Sequence, residues 1–261
     1  MKILVTGGNG YIAKSINNSL SKLYDITNIS RDDFNLEDTD AANRWFENKK
    51  FDILIHTAIK GGSRLKSEDE SVLNSNLKMF NNLVLNKDKF NKLISFGSGA
   101  EIWDHESQYA KSKRIINEII KKEDNFYNIR IFAVFDENEL DTRFIKANLL
   151  RYINKQSMLI HANKLMDFFY MKDLINLIQH YIDNDNLAKE VNCSYEEKKT
   201  LLNIANIINK LTDYKVPINM ESNFLVQDYC GTSNLPIDVI GLENGIKETY
   251  NLLLEKYHVE N

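Results

Sequence analysis

The sequence predicts an α/β protein built on a doubly wound parallel sheet with helices on both faces, followed by a small C-terminal lobe. Three observations support this prediction. Apolar runs of strand length alternate with helical patterns through the first half of the chain. A glycine-rich turn joins the first strand to the first helix. The 261 residues, 43% of them hydrophobic, suffice for one large domain or for a large and a small lobe.

The alternation of strands and helices is regular up to about residue 132. We predict strands over Lys2–Thr6, Asp25–Ile29, Phe51–Thr57, Leu93–Gly97 and Asn128–Phe132. We predict helices over Tyr11–Leu23, Asp38–Asn48, Glu70–Leu85 and Gln108–Lys122. Right-handed crossovers between such strands put a ligand crevice at the carboxyl ends of the strands.

The pattern loosens after about residue 140. Helices are predicted over Phe144–Ile153, Lys172–Ile182, Thr200–Thr212 and Glu243–Tyr257, and Met158–His161 is predicted to be extended. No low-complexity linker or internal repeat separates these segments. We therefore divide the chain into residues 1–140 and a mixed region, 141–261, in which a small lobe is interleaved with the last elements of the sheet.

Composition excludes several classes of function. A net charge of −4 shows no basic excess for nucleic acid, and no apolar run approaches the length of a membrane helix. Cys193 and Cys230 are too few for a disulfide framework or a four-cysteine zinc site, so no metal site is predicted. The apolar N-terminus belongs to a strand, so no signal peptide is expected. We expect a cytoplasmic protein without membrane or nucleic-acid partners.

The glycine turn points to a dinucleotide. Gly7, Gly8 and Gly10 follow a strand and precede a helix, and Ala13 is small enough for close packing of helix on strand. Amides at such a helix start, here at Tyr11 and Ile12, bind a pyrophosphate, which the helix dipole also favours. The pattern predicts a Rossmann-type dinucleotide-binding domain over residues 1–140, with Gly7, Gly10, Tyr11 and Ile12 at the cofactor.

The end of the second predicted strand indicates which nicotinamide cofactor binds. Ser30 and Arg31 come first in this segment, and an arginine there pairs with a 2′-phosphate, which favours NADP(H). Asp32 and Asp33 follow directly, and a carboxylate on the ribose hydroxyls favours NAD(H) instead. NADP(H) is the preferred prediction, and NAD(H) stays open.

Tyr109 and Lys113 are the candidate catalytic pair. Residues four apart on a helix share a face, so the phenol and the ammonium can point into one pocket. The ammonium lowers the phenol pKa and binds the nicotinamide ribose, and the phenol passes a proton to a developing alkoxide. Ser98, at the end of the fourth predicted strand, supplies a hydroxyl that holds the substrate oxygen.

These motifs resemble the extended short-chain dehydrogenase/reductases of the sugar-nucleotide epimerase/dehydratase superfamily, over the whole chain. Further segments that resemble this family are Asp52, Phe168–Asp173 and Gly241–Tyr250. The nearest pattern is that of GDP-fucose synthase-type reductases, which Arg31–Leu36 and Ala58–Gly62 resemble. That resemblance implies NADP, a nucleotide-diphosphate sugar, reduction of a 4-keto group and cofactor contacts at Ala58 and Lys60. It also implies a homodimer and a role in polysaccharide biosynthesis.

The chain departs from that pattern at functional positions. The segment directly after Ser98, Gly99–Trp103, contains no cysteine, and Arg143 stands where the family has a proton-moving histidine. These departures leave simple reduction without double epimerisation. The acid pair of the dehydratases is also absent after Ser98, where Glu101 is one residue out of place. The predicted substrate contacts are Ser98, Gly99, Tyr109 and Arg143.

Three functions remain open at the level of sequence. The first is an NADP-dependent reductase of a keto group on a nucleotide-activated sugar. The second is an epimerase in which the same residues act on a tightly held NAD. The third is a dinucleotide-binding regulator without turnover, against which the complete set of Ser98, Tyr109 and Lys113 argues.

Overall fold

The computed structural model describes residues 1–62, 68–222, 224 and 226–259. Its strands are β1 Lys2–Thr6, β2 Asp25–Ile29, β3 Phe51–His56, β4 Phe90–Ser98, β5 Phe126–Ile131, β6 Val134–Phe135, β7 Met158–Ala162, β8 Phe169–Tyr170, β9 Glu190–Cys193 and β10 Ile218–Ser222. Its helices are α1 Tyr11–Leu20, α2 Thr39–Phe46, α3 Ser71–Leu85, α4 Ala100–Trp103, α5 Gln108–Ile120, α6 Phe144–Ile153, α7 Met171–Asp183, α8 Leu201–Ile208 and α9 Leu242–Val259.

The main sheet of the described residues has six strands in the order β2-β1-β3-β4-β5-β9. β1 pairs in parallel with β2 on one side and with β3 on the other, and β3 pairs in parallel with β4. The predicted doubly wound parallel fold is confirmed. The strand order reverses between β1 and β3, and open sheets of this kind bind ligands at such a switch point.

The strands are apolar because helices cover both faces of a parallel sheet. Ile3, Leu4 and Val5 of β1 are fully buried, and Leu54 and Leu93 lie in the same apolar core as residues of α2, α3 and α5. Asp52 at the start of β3 accepts a hydrogen bond from the Lys2 backbone N–H at 2.7 Å. The carboxylate therefore fixes the register at the amino end of the sheet.

The chain divides into two compact units. The first comprises Met1–Arg130 and Ile178–Val191, and the second comprises Ile131–Leu177 and Asn192–Asn261. In the second unit, α6, α8 and α9 enclose an apolar core with the two-stranded sheets β7–β10 and β6–β8. Across the described residues, no helix combines the length and apolar character that a membrane span requires.

The strand β9 is missing from the sequence prediction. Its residues, Glu-Val-Asn-Cys, form no apolar run, and the strand exists because it pairs at the sheet edge beside β5. β10, with the residues Ile-Asn-Met-Glu-Ser, is likewise extended through its parallel pairing with β7. Both segments are strands because of partners that are distant in the chain, and local sequence patterns do not predict such pairing.

Candidate active site

The glycine turn packs tightly against the end of β3. Gly7 has φ +71°, and a Cβ atom there would lie 2.8 Å from both backbone N and Cα of Ala58. The Gly10 N–H donates to the Gly7 carbonyl at 2.8 Å, and Gly8 N–H donates to the Ile29 carbonyl at 2.8 Å. Glycine at position 7 is thus required by both conformation and space.

The start of α1 has the features of an anion site. Gly10 is the N-cap residue of α1, and the first turn of this helix contains no acidic side chain. Tyr11 and Ile12 are half-buried at this helix start, and Ala13 is fully buried. Because helix amides and the helix dipole both favour negative charge, the turn fits the pyrophosphate of a dinucleotide.

The end of β3 is tied to the end of β1. Thr57 Oγ1 donates to the Thr6 carbonyl at 2.6 Å, and His56 Nδ1 lies 2.8 Å from Thr6 Oγ1. Burial lowers the pKa of His56 to about 3, and the charge of Lys113 adds to this effect. His56 is therefore a neutral, hydrogen-bonded core residue that holds the two strand ends together.

The segment after β2 presents a guanidinium and two carboxylates. Asp33 accepts from the Ser30 N–H at 2.8 Å, and Asp32 accepts from the Ser30 hydroxyl at 3.2 Å and from the Asn9 amide at 3.4 Å. The Arg31 side chain is 72% exposed and pairs with Glu37 at 3.4 Å. Both carboxylates are thus engaged by protein donors, while the guanidinium extends into solvent.

Lys113 contacts β4 near its carboxyl end, where the strand ends at Ser98. Lys113 is buried on α5 and donates to the Phe96 carbonyl at 2.5 Å, two residues before Ser98. Burial lowers the pKa of Lys113 to about 8, and the charge of Glu101 acts in the opposite direction. Ser98 is also buried, and its Oγ accepts from the Ala100 N–H at 3.2 Å. Gly99, the N-cap residue of α4, is buried beside it.

Tyr109 lies one turn before Lys113 on α5. The Lys113 ammonium is 5.7 Å from the centre of its ring. Gly62, in the loop after β3, has φ +75°, and a Cβ there would lie 2.9 Å from the same ring. Glu68 bonds the backbone N–H groups of both Gly62 and Tyr109 at 3.0 Å. The tyrosine is therefore held between its own helix and the loop that follows β3.

Asn76 connects that loop to α5, the helix of the candidate catalytic pair. Its amide oxygen accepts from the Lys60 N–H at 2.8 Å, and its amide nitrogen donates to the Lys60 carbonyl and to the Ser112 hydroxyl, both at 3.0 Å. The Lys60 ammonium itself bonds the Ser71 hydroxyl and pairs with Asp69 at 3.7 Å. In this structure the Lys60 side chain is thus engaged at the start of α3.

A buried charged network beside Ser98 was not predicted from the sequence. Glu101 accepts from the Ser98 N–H at 2.8 Å and from Arg130 Nε and Nη2 at 3.0 and 2.9 Å. Arg130 Nη2 also bonds Glu190 at 2.5 Å. The available signal was the spacing Ser-x-x-Glu, which is typical of a capping box at a helix start.

Arg143 lies in the second unit. It is the N-cap residue of α6, and its side chain is exposed. Lys146, one turn along the helix, is buried and pairs with Asp141 at 2.9 Å. The structure thus brings together Gly7, Gly10 and Ala58 at one strand end and Ser98 and Lys113 at another, whereas Arg143 belongs to a separate unit. No group of three metal-ligating side chains occurs among the described residues.

Solved structures share this fold. GDP-L-fucose synthetase from Naegleria fowleri is 20% identical, with 98% of this chain and 94% of that chain covered and a TM-score of 0.79. GDP-mannoheptose C4 reductase from Campylobacter jejuni is 15% identical, with 98% of each chain covered and a TM-score of 0.77. UDP-glucuronic acid 4-epimerase from Bacillus cereus is 15% identical, with 98% and 100% covered and a TM-score of 0.75.

Sequence comparison gives the family. No curated protein sequence matches the chain. The model of the NAD dependent epimerase/dehydratase family matches residues 3–194, which include the glycine turn and the residues Ser98, Tyr109 and Lys113. The resemblance inferred from the motifs is confirmed: the chain belongs to the NAD dependent epimerase/dehydratase family and is an NAD(P)-dependent oxidoreductase of the extended short-chain dehydrogenase/reductase type.

Proposed function

We propose that the protein is an NADP-dependent reductase of a keto group, at C4, on a nucleotide-diphosphate sugar. The observation that carries this proposal is the packing of Lys113 against the carboxyl end of β4, beside Ser98 and one helical turn from Tyr109. A hydroxyl, a phenol and an ammonium in this arrangement are what carbonyl reduction needs. The close approach of Gly7 to Ala58 and the start of α1 fit a dinucleotide.

The proposed roles follow from the chemistry of each group. The nicotinamide supplies the hydride when it is bound. Ser98 holds the carbonyl oxygen through its hydroxyl, and Tyr109 donates its phenolic proton to that oxygen as negative charge develops. The Lys113 ammonium stabilises the phenolate that Tyr109 becomes and binds the ribose of the cofactor. Gly99, next to Ser98, borders the substrate.

We favour NADP because of the groups that follow β2. Asp32 and Asp33 already accept hydrogen bonds from Ser30 and Asn9, whereas Arg31 is exposed and has a long ion pair to Glu37. Because Arg31 is exposed and only weakly paired, its guanidinium can form two hydrogen bonds to a phosphate with little loss of existing interactions. We expect Arg31→Ala to weaken NADPH binding about tenfold, equivalent to about 1.4 kcal/mol, and to leave NADH binding unchanged. Fluorescence titration with each nucleotide checks this expectation, and equal losses for both would contradict the role of Arg31.

The substrate class rests on the names of two structural neighbours. One is described as a GDP-L-fucose synthetase and another as a GDP-mannoheptose C4 reductase with NADP bound. We propose that this chain takes a related nucleotide-diphosphate sugar. The segment Gly99–Trp103, directly after Ser98, contains no cysteine, which favours reduction without epimerisation.

A second candidate function is epimerisation of a nucleotide sugar. A third neighbour is described as a UDP-glucuronic acid 4-epimerase in complex with NAD, and it shares the fold. An epimerase reduces and reoxidises one cofactor molecule in each cycle. Tight NAD in the purified protein, with no net consumption of NADPH, would therefore support this alternative over the reductase.

Turnover assays test the proposal. Purified protein is given NADPH and a panel of GDP- and UDP-4-keto sugars, and the loss of NADPH absorbance is followed. We expect turnover by the wild type, and we expect Tyr109→Phe to reduce kcat by about 10²–10⁴-fold while NADPH binding is kept. Tyr24→Phe is the matched control, since that phenol bonds Asp183 at 2.7 Å on the surface. Unchanged turnover in Tyr109→Phe would contradict the proposed proton donor.

We also propose that the protein is a homodimer through α3 and α5. These helices pack on each other, and their outer faces carry the exposed apolar side chains Leu85 and Ile115. Light scattering should give twice the 30.3 kDa mass of the chain. A monomer at micromolar concentration would contradict this proposal.

A further inference from the structure

We propose that Glu101 is a positioning residue of the Ser98–Tyr109–Lys113 site: its carboxylate fixes the backbone of Ser98 and supplies the counter-charge that keeps Lys113 protonated. This inference rests on the proposed function, because it assigns Glu101 a task only in a site where Lys113 acts as a cation. It adds a fourth side chain to the three that the sequence pattern indicates.

Both carboxylate oxygens of Glu101 accept hydrogen bonds. Oε1 accepts from the Ser98 N–H at 2.8 Å, while Oε2 accepts from Arg130 and, at 3.4 Å, from Asn128. The side chain is 3% exposed. A buried carboxylate with both oxygens bonded has a fixed orientation, so the position of Ser98 depends on it directly.

Because Gly97 has no side chain, it leaves room for the carboxylate of Glu101. A Cβ at this position would lie 2.4 Å from Glu101 Oε1 and 2.5 Å from the Asn128 amide oxygen. Gly97 has an ordinary backbone conformation, so closeness to these groups is what requires glycine here. The strand end that carries Ser98 thus accommodates this carboxylate.

Arg130 orients Glu101 from the other side. Its guanidinium bonds Glu101 and Glu190, and Glu190 also accepts from Asn117 at 2.7 Å. Asn117 in turn accepts from Asn128 at 2.9 Å. The hydrogen bonds link α4, β4, β5, α5 and β9 around a single buried anion, which therefore cannot rotate freely.

Glu101 also supplies negative charge that acts on Lys113. Among the residues that the structure describes, the titratable and charged groups facing Lys113 are His56 on β3, Glu101 on α4, Tyr109 on α5 and, behind Glu101, Arg130 on β5. His56 is neutral because burial lowers its pKa to about 3. Glu101 is thus the anion that opposes the desolvation of Lys113, whose pKa burial lowers to about 8. Loss of this charge lowers that pKa further.

The consequence is a testable pH dependence. If Tyr109 requires a protonated Lys113, activity falls as pH rises through the pKa of Lys113. We expect Glu101→Gln to move the alkaline limb of kcat/KM down by about one pH unit, the usual size of one lost neighbouring charge. It also reduces kcat at neutral pH by about tenfold, because Ser98 is less firmly held.

Two control variants separate charge from packing. Glu118→Gln removes an exposed carboxylate on the same helix as Lys113, paired with Lys121 at 2.9 Å, and should leave the profile unchanged. Glu190→Gln disturbs the partner of Arg130 but keeps the charge of Glu101, so it should lower stability without moving the alkaline limb. A merely structural role for Glu101 predicts the same profile for Glu101→Gln and Glu190→Gln, and that result would overturn the inference.

A measurement without turnover keeps this test independent of the proposed function. The rate at which acetic anhydride labels Lys113 is followed against pH by mass spectrometry of the purified protein. Labelling of Lys113 should rise at a lower pH in Glu101→Gln than in the wild type. Should Glu101→Gln fail to fold, Glu101→Gln with Arg130→Gln replaces the ion pair by a neutral pair and carries the same expectation. Identical labelling profiles would overturn the inference, whereas shifted labelling in a protein with no reductase activity would contradict the proposed function alone.

Discussion

Buried charged side chains in the two units have different kinds of partner. In the first unit, Glu101, Arg130 and Lys113 cluster beside Ser98 at the end of β4. In the second unit, Asp173 holds the start of α9 by accepting from the N–H groups of Ile240 and Gly241 at 2.7 and 3.1 Å. The cluster in the first unit thus lies at the candidate active site, whereas Asp173 in the second unit joins segments that are distant in the chain.

One buried titratable group in each unit gives stability an opposite dependence on pH. Burial lowers the pKa of His56 to about 3 in the first unit and raises the pKa of Glu139 to about 8 in the second. Below its ordinary pKa, His56 takes up a proton more readily in the unfolded chain, so stability falls with falling pH. Glu139 loses its proton more readily in the unfolded chain, so its contribution falls as pH rises.

The largest effect expected from the comparison of the two units contrasts two glycines with positive φ, one in each unit. Gly7 has φ +71° and a crowded Cβ position, whereas Gly241 has φ +87° and no atom within 4 Å of that position. We expect Gly7→Ala to weaken cofactor binding by about 100-fold or more, because strain and the contact with Ala58 both displace the turn. Titration with NADPH measures the loss.

Gly241→Ala is the matched control for this prediction. It introduces strain alone, which costs about 1–2 kcal/mol of stability, and it should leave cofactor binding unchanged. If both variants lost cofactor affinity equally, the close approach of Gly7 to Ala58 would have no role in nucleotide binding.

The next effect concerns the carboxylate that joins the second unit. Asp173 is fully buried and also accepts from the Tyr195 hydroxyl at 2.5 Å. Asp173→Asn places an amide NH2 group, itself a donor, opposite donors that the carboxylate accepts from. We therefore expect a loss of about 2–3 kcal/mol in the free energy of unfolding. Chemical denaturation measures this loss. Glu197→Gln removes a side chain that is 77% exposed, and it should change stability by less than about 0.5 kcal/mol.

The smallest predicted effect is the pH dependence due to Glu139. The pKa of this carboxyl is raised from 4.5 to about 8, mainly by burial. Its contribution to stability is complete below about pH 4.5 and is lost as pH rises towards 8, and Glu139→Gln removes this loss. The variant should be more stable than the wild type by at least about 1 kcal/mol at pH 8, and less so at pH 5.

Thermal unfolding across that pH range checks the prediction. Glu243→Gln removes a carboxylate that is 63% exposed and serves as the control. If the stability of Glu139→Gln had the same pH dependence as that of the wild type, the proposed contribution of the Glu139 carboxyl to the pH dependence of stability would be contradicted.

The sequence predicts the first unit well because its signals are local. β1 and β2 run over the predicted residues, and Asp38 caps α2 as expected. Each apolar run there is buried by the helices next to it in the chain. Glycine turns, helix spacing and strand runs each lie within a few residues, so physical rules for short segments are sufficient.

The features that the sequence does not predict depend on distant partners. β9 and β10 form by pairing, and the contact of Gly62 with Tyr109 joins residues 47 positions apart. In the sequence, Glu101 is noted only as a departure from the dehydratase pattern. Its partner Arg130 lies 29 residues later, on β5. The spacing of charges along a chain does not show which of them will meet in a buried site.

We propose that the protein passes a hydride from NADPH to a sugar-nucleotide ketone and releases the reduced sugar. The most direct test uses NADPH that carries deuterium at the transferable C4 position of the nicotinamide. Incubation with a nucleotide-diphosphate 4-keto sugar, followed by mass spectrometry of the product, should show one deuterium in the sugar and one NADP formed per product. A converted sugar without deuterium and without loss of NADPH would contradict the reductase and support the epimerase.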